Sequence, residues 1–304
     1  MAERKGVQGC GIEGCIKALV IVDRARISSV ARALRNIPAS AIDVIELNDP
    51  QYVAVKKLVY VHGDRAVAFA VANALVSYRL SLPGERYWLE FAEWASRIQT
   101  PSTGKDLVDA MKLFLAESRG NRMVTVQKAR RLERASRILE SILQEPGRYR
   151  DLSVLVRELA DALGARPEEK TIVFAAKMAY YAYRALGIDV VGKDDIPIPL
   201  DRRMALLTSA SGIIGAPPDK VFTRYRLDAV RAWHEVSRES GIPALHLDAV
   251  VWLPAHGIER HLRRGLEYAR DEFARKLVGY SKGIVDWSTA RQIASQVIYR
   301  DPYA

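Results

Sequence analysis

Apolar residues along the chain recur at three- and four-residue spacings, the mark of helices with one buried face. From Val30 onward this pattern runs through 51–62, 65–80, 86–97, 105–118, 125–144, 153–163, 167–186, 201–214, 218–240, 244–253, 258–278 and 288–298. Pro and Gly punctuate the gaps, as expected of tight connections between helices. No hairpin signal, alternating strand or internal repeat interrupts the series. Residues 18–23 (ALVIVD) would suit a strand but have no visible partner, so that stretch is left unassigned. The prediction is an all-α fold of many short helices.

Composition narrows the class. A chain of 304 residues with 49% hydrophobic and 27% charged side chains can bury one large or two modest cores. No 18-residue run is free of charge, and the start of the chain lacks a small-residue cleavage site, so neither a membrane span nor an export signal is expected. A cytoplasmic protein follows. Cys10 and Cys15 are the only cysteines, and both lie in a Gly-rich leader over 1–20 that is expected to be flexible. This argues against a disulfide framework and a four-cysteine iron-sulfur cluster. His246, His256 and His261 form no zinc-ligand pattern, and PSTGKD at 101–106 lacks the flanking residues of a phosphate loop. No metal or organic cofactor is expected.

The formal charge of +10 is dispersed, with concentrations at 128–137 (KARRLERASR) and 260–264 (RHLRR). Such surfaces suit nucleic acid, an acidic small molecule, or simple solvation.

Three segments carry candidate chemistry. In 153–187, Gly164 suits the left-handed position ending one helix and Pro167 the first position of the next. This helix-hairpin-helix fits either an ordinary connection or an anion site that holds a phosphate without reading sequence. Lys170 is then expected in the first turn of the second helix, behind Glu168 and Glu169. A cation is disfavoured there, and a neutral amine is the nucleophile that Schiff-base chemistry needs. Phe174 and Lys177 follow on the same face. In 194–214, Pro197 and Pro199 force an extended entry that delivers Asp201 to a helix mouth, as a cap or a catalytic carboxylate. In 241–257, Asp248 and Trp252 lie four apart on one helix face, a plausible base-binding pair or an ordinary core Trp beside a surface Asp.

Five separated stretches, DPQY at 49–52, NALVSYRL at 73–80 followed by Tyr87 and Trp88, EEKTIVFAAK at 168–177, DIPIPLDRR at 195–203 and GIPALHLDAVVWL at 241–253, together resemble the archaeal 8-oxoguanine DNA glycosylase family, AGOG. The likeness is strong over 45–95 and 153–255, weaker over 100–150, and absent from the leader and most of the chain beyond 258.

The resemblance implies a helix-hairpin-helix DNA glycosylase with two helical lobes and an active-site cleft between them. Residues 21–80 and 205–304 would form one lobe, and 81–204 the lobe carrying the hairpin. The enzyme would flip 8-oxoguanine from DNA, break its glycosidic bond and cleave the strand by β-elimination. Lys170 matches the family's Schiff-base nucleophile, and Asp201 its catalytic aspartate. Gln51, Trp88, Phe174, Lys177, Asp248 and Trp252 match its base pocket. The expected partner is double-stranded, and also single-stranded, DNA containing 8-oxoguanine, bound by a monomer away from any membrane. The alternatives are a non-catalytic helical nucleic-acid-binding protein and a related glycosylase with another preferred lesion.

Overall fold

The helices start where the sequence supplies caps. In a computed structural model describing residues 22–303, Asp23, Asp49, Asp151, Asp201 and Asp286 each accept a backbone N–H from the turn they open. Thr103 and Asp106 form a reciprocal capping box. The leader over 1–20 lies outside the described residues.

The described chain begins with α1 (Arg24–Leu34) and α2 (Ala39–Leu47). It continues through α3 (Pro50–His62), α4 (Ala66–Val76), α5 (Gly84–Ala95), α6 (Gly104–Glu117), α7 (Thr125–Gln144), α8 (Leu152–Leu163) and α9 (Lys170–Ala185). After an extended stretch come α10 (Arg202–Ala210), α11 (Pro218–Thr223), α12 (Arg226–Ser240), α13 (Ala244–Trp252), α14 (Ile258–Leu262), α15 (Leu266–Tyr280) and α16 (Trp287–Val297). The fold is all-α. Among the described residues, extended pairing is limited to isolated bridges, Val22 with Ile214 and Asp151 with Val191. Of the unassigned stretch over 18–23, only Val22 and Asp23 lie within the described residues, and Val22 makes one of these bridges.

Two apolar cores form. One unites α3 through α9 with Leu245 of α13. The other unites α1 and α2 with the chain from Ile198 to Ile298. This packing divides the chain near 48–50 and near 197, where the sequence expectation had placed 21–80 with the C-terminal half. The reason is α4. Every residue of AVAFAVANALV is buried, and a helix apolar on all sides must be wrapped on all sides. Its neighbours are α3, α7 and α9.

Three periodic segments break differently from expectation. The segments 218–240 and 258–278 each split into two helices, the second at Gly265 with φ +120°. The hairpin's second helix begins at Lys170, not at Pro167. Gly164, at φ +54°, ends α8 as expected, but Arg166 to Glu169 form a further turn closed by Glu169 N–H on the Arg166 carbonyl at 3.0 Å. Pro167 therefore sits in the loop, and Lys170 is the first helical residue. No described helix is long and apolar enough to cross a membrane.

Candidate active site

A cleft of about 880 Å³ opens where the two cores meet. Lys170 and Phe174 reach it from α9, Gln51 from the start of α3, and Trp88 from α5. The second lobe contributes Asp201, Asp248 and Trp252. Seven of the eight residues singled out from sequence thus share one cavity. The eighth, Lys177, is buried behind Asp248 and pairs with its carboxylate.

Lys170 is held lightly. Its Nζ lies 3.5 Å from the Ser77 carbonyl and 5.6 Å from the centre of the Phe174 ring. Phe174 stands one turn further along α9 and meets Trp88 edge to face, at 5.8 Å and 82°. Glu169 supplies no side-chain cap, so the first amides of α9 keep their capacity for an anion.

Asp201 divides its two oxygens. Oδ1 accepts the Met204 N–H at 2.9 Å, capping α10, and Oδ2 accepts the Trp252 indole N–H at 2.9 Å. The carboxylate is at once a cap and the anchor of an aromatic wall.

Behind the wall lies a dense polar layer. Asp49, fully buried, accepts the Gln51 backbone N–H and the Tyr181 hydroxyl, each at 2.8 Å. Burial pushes its carboxyl up to about 6, against the opposing pull of Lys177. Burial works against the Lys177 ammonium, but Asp248 and Asp49 beside it outweigh that penalty and raise it above the ordinary lysine value. The one cation offsets part of the charge of the two carboxylates, and hydrogen bonds from Gln51 and Tyr181 satisfy Asp49, the usual conditions for burying charge. The Asp-Pro pair at 49–50 was a readable capping signal, but its link to Lys177 needs the fold.

The basic run at 128–137 is only partly a solvated face. Lys128 is fully buried, donates to Asn121 and lies 4.8 Å from the Tyr78 ring centre, with burial pushing it down to about 8. Arg131 donates to Thr171 Oγ1 at 2.7 Å, and Arg134 to the Leu163 carbonyl. These two brace the hairpin at the end of α8 and the start of α9. Arg130, Arg134 and Arg137 remain exposed, and Arg79, Arg202 and Arg226 line the cleft beside Lys170. Sequence reasoning singled out none of these last three. Among the described residues no group of three or more His, Cys, Asp or Glu side chains is placed to hold a metal.

Comparison with known proteins adds four findings. A family model described as "AGOG: N-glycosylase/DNA lyase" matches residues 31–286. The chain is 34% identical over 237 residues to an N-glycosylase/DNA lyase of Pyrobaculum aerophilum, covering 77% of this chain and 88% of that protein. It is 39% identical over 230 residues to an N-glycosylase/DNA lyase of Methanopyrus kandleri, covering 74% and 88%. The crystal structure of an 8-oxoguanine DNA glycosylase from Pyrobaculum aerophilum, complexed with 8-oxoguanosine, superposes with a TM-score of 0.68 at 30% identity, over 86% of this chain and 97% of that one.

Proposed function

The chain belongs to the AGOG family of N-glycosylase/DNA lyases, and on that premise we propose that its interlobe cleft receives a flipped 8-oxoguanine, with Lys170 as nucleophile and Asp201 as its catalytic partner. The Lys170 amine attacks the sugar C1′, forming a C–N bond as the bond to the base breaks. Opening of the sugar ring gives an imine. Loss of a C2′ proton then expels the 3′ phosphate by β-elimination, and water releases the lysine. Asp201 would accept the proton shed by the attacking amine or balance positive charge on the sugar. One observation supports this reading above the rest: an amine from one lobe and a carboxylate from the other line a single cleft that also holds Trp88, Phe174 and Trp252.

For the base, Phe174 and Trp252 are the stacking faces, and Gln51, Trp88 and Asp248 the polar readers, with Lys177 holding the Asp248 carboxylate from behind. 8-Oxoguanine differs from guanine at two adjacent atoms, an added oxygen at C8 and a proton on N7. Stacking cannot sense that difference. A buried acceptor facing N7 can, because normal guanine would present a lone pair to it. Sites of that kind reject the analogue by about four orders of magnitude. We assign the Trp88 indole N–H to the C8 oxygen and Gln51 to the polar edge of the base.

Trp88→Phe and Gln51→Leu should each slow single-turnover excision of 8-oxoguanine by about tenfold or more, and Trp252→Ala should weaken capture of any flipped base. Unchanged rates in both Trp88→Phe and Gln51→Leu would remove these residues from recognition. Faster release of another oxidised base in a lesion panel would move the lesion assignment and leave the lysine chemistry standing.

The DNA itself would be held by the first amides of α9 and by dispersed cations, including Arg79, Arg202 and Arg226 at the cleft. Affinity for undamaged duplex should then fall about a hundredfold or more between 50 and 200 mM salt, if about five phosphates are neutralised. A flat salt dependence, measured by fluorescence anisotropy, would contradict use of this surface. All groups assigned to the cleft come from one chain, so we propose a monomer, acting in the cytoplasm on double-stranded and single-stranded DNA, with no metal or organic cofactor.

A further inference from the structure

Arg203, two residues beyond Asp201, has no role in the chemistry above, yet it joins the lobes at the cleft. Its guanidinium carbon lies 3.7 Å from the centre of the Trp252 ring and so covers one indole face. Nη1 donates to the Trp252 carbonyl at 3.0 Å. Nη2 lies 3.2 Å from Glu85 Oε1, in the first turn of α5 across the cleft, and 3.2 Å from His256 Nδ1. Both charged partners are largely buried, Arg203 at 18% and Glu85 at 15% side-chain exposure. Glu85 Oε2 has no hydrogen-bond partner among the described residues. Its carboxylate therefore depends on the Arg203 contact, with His256 at 3.3 Å.

We propose that Arg203 is a positioning residue for base capture, a clasp that fixes the plane of Trp252 and ties it to the opposite lobe. The inference rests on the reading of the cleft as a base-excision site. With one indole face occupied by the guanidinium, a base stacks only on the other. The Asp201 bond fixes the indole edge, and the Arg203 contacts fix its face and backbone. Together they hold the stacking platform before the base arrives, which lowers the ordering cost of capture. Lysine cannot replace it. Only a planar fork stacks on a ring while bonding a carbonyl and a carboxylate at once.

A role in base capture should spare a substrate that has no base. In single-turnover assays Arg203→Lys should slow excision from an 8-oxoguanine duplex about tenfold, with a several-fold smaller loss of strand cleavage on a duplex carrying a preformed abasic site. In a Trp252→Ala background the same substitution should cost less than about twofold. Equal losses on both duplexes, no loss at all, or a full loss without the indole would overturn the proposal. Should Arg203→Lys melt below the assay temperature, Glu85→Gln carries the test. A larger loss on the lesion duplex than on the abasic one supports the clasp, and equal losses on the two, or none, refute it. A wild-type chain that cleaves the abasic duplex but releases no 8-oxoguanine would refute the lesion assignment instead. The variant comparison then runs on the lesion the wild type does excise.

Discussion

Lys170→Gln is expected to abolish strand cleavage and to slow base release by at least about 10³-fold, the order of loss seen when a nucleophile is removed outright. Little else should change. Lys170 sits at the first position of α9, and the one hydrogen bond of its side chain within the described chain is a 3.5 Å contact to the Ser77 carbonyl. The hairpin around it is held by other groups, Arg131 on Thr171 and Arg134 on Leu163. The melting temperature of the variant should therefore stay within a few degrees of wild type, and its affinity for the lesion duplex should largely persist. Strand cleavage at the wild-type rate by Lys170→Gln would move the nucleophile elsewhere.

Asp201→Asn should follow in size, slowing turnover by about 10²- to 10³-fold. From sequence, an amide looks able to keep the helix cap and lose only the charge. The geometry is less forgiving. Both oxygens of Asp201 accept from N–H donors, Met204 on one side and Trp252 on the other, and asparagine has a single acceptor. Either α10 loses its cap, at a cost of about 1 kcal/mol, or an amide NH2 confronts the indole N–H. A modest fall in melting temperature is expected alongside the kinetic loss. Trp252→Phe separates the two effects, because it removes the indole donor and keeps the carboxylate. It should cost less than Asp201→Asn on the abasic duplex, where no base needs stacking. Equal losses there would make Asp201 an anchor for the indole rather than a carrier of charge.

Sequence periodicity located most helices because most of them bury one face and leave the other wet. It located α4 as well, but a helix buried on all sides leaves no stripe to show which lobe it joins, and the lobe division drawn with the resemblance differs from the packing, which puts residues 50–76 with α5 through α9. The start of α9 was misread for a local reason. Pro167 favours a first helical position, but the chain spends one more turn, closed by the Glu169 N–H on the Arg166 carbonyl, before the helix begins. The site was legible where chemistry is odd for its position, as with a lysine at a helix start or an aspartate delivered by two prolines. Helical spacing grouped Phe174 and Lys177 with Lys170 and paired Asp248 with Trp252, and the resemblance added Gln51 and Trp88. Arg203 escaped because an arginine in LDRRM has no local peculiarity. Its meaning comes from Glu85, 118 positions away in sequence, and from the indole it covers. Asp49 was missed for the same reason. A capping aspartate is common, and its second task beside Lys177 exists only in three dimensions.

The central claim is that Lys170 forms the covalent link to the sugar. Borohydride reduction during turnover of an 8-oxoguanine duplex, followed by proteolysis and mass spectrometry of the crosslinked peptide, tests it directly. One DNA adduct is expected, on the peptide of α9 and on Lys170 within it. An adduct at Lys177 or any other amine, or strand cleavage with no trapped adduct, would contradict it.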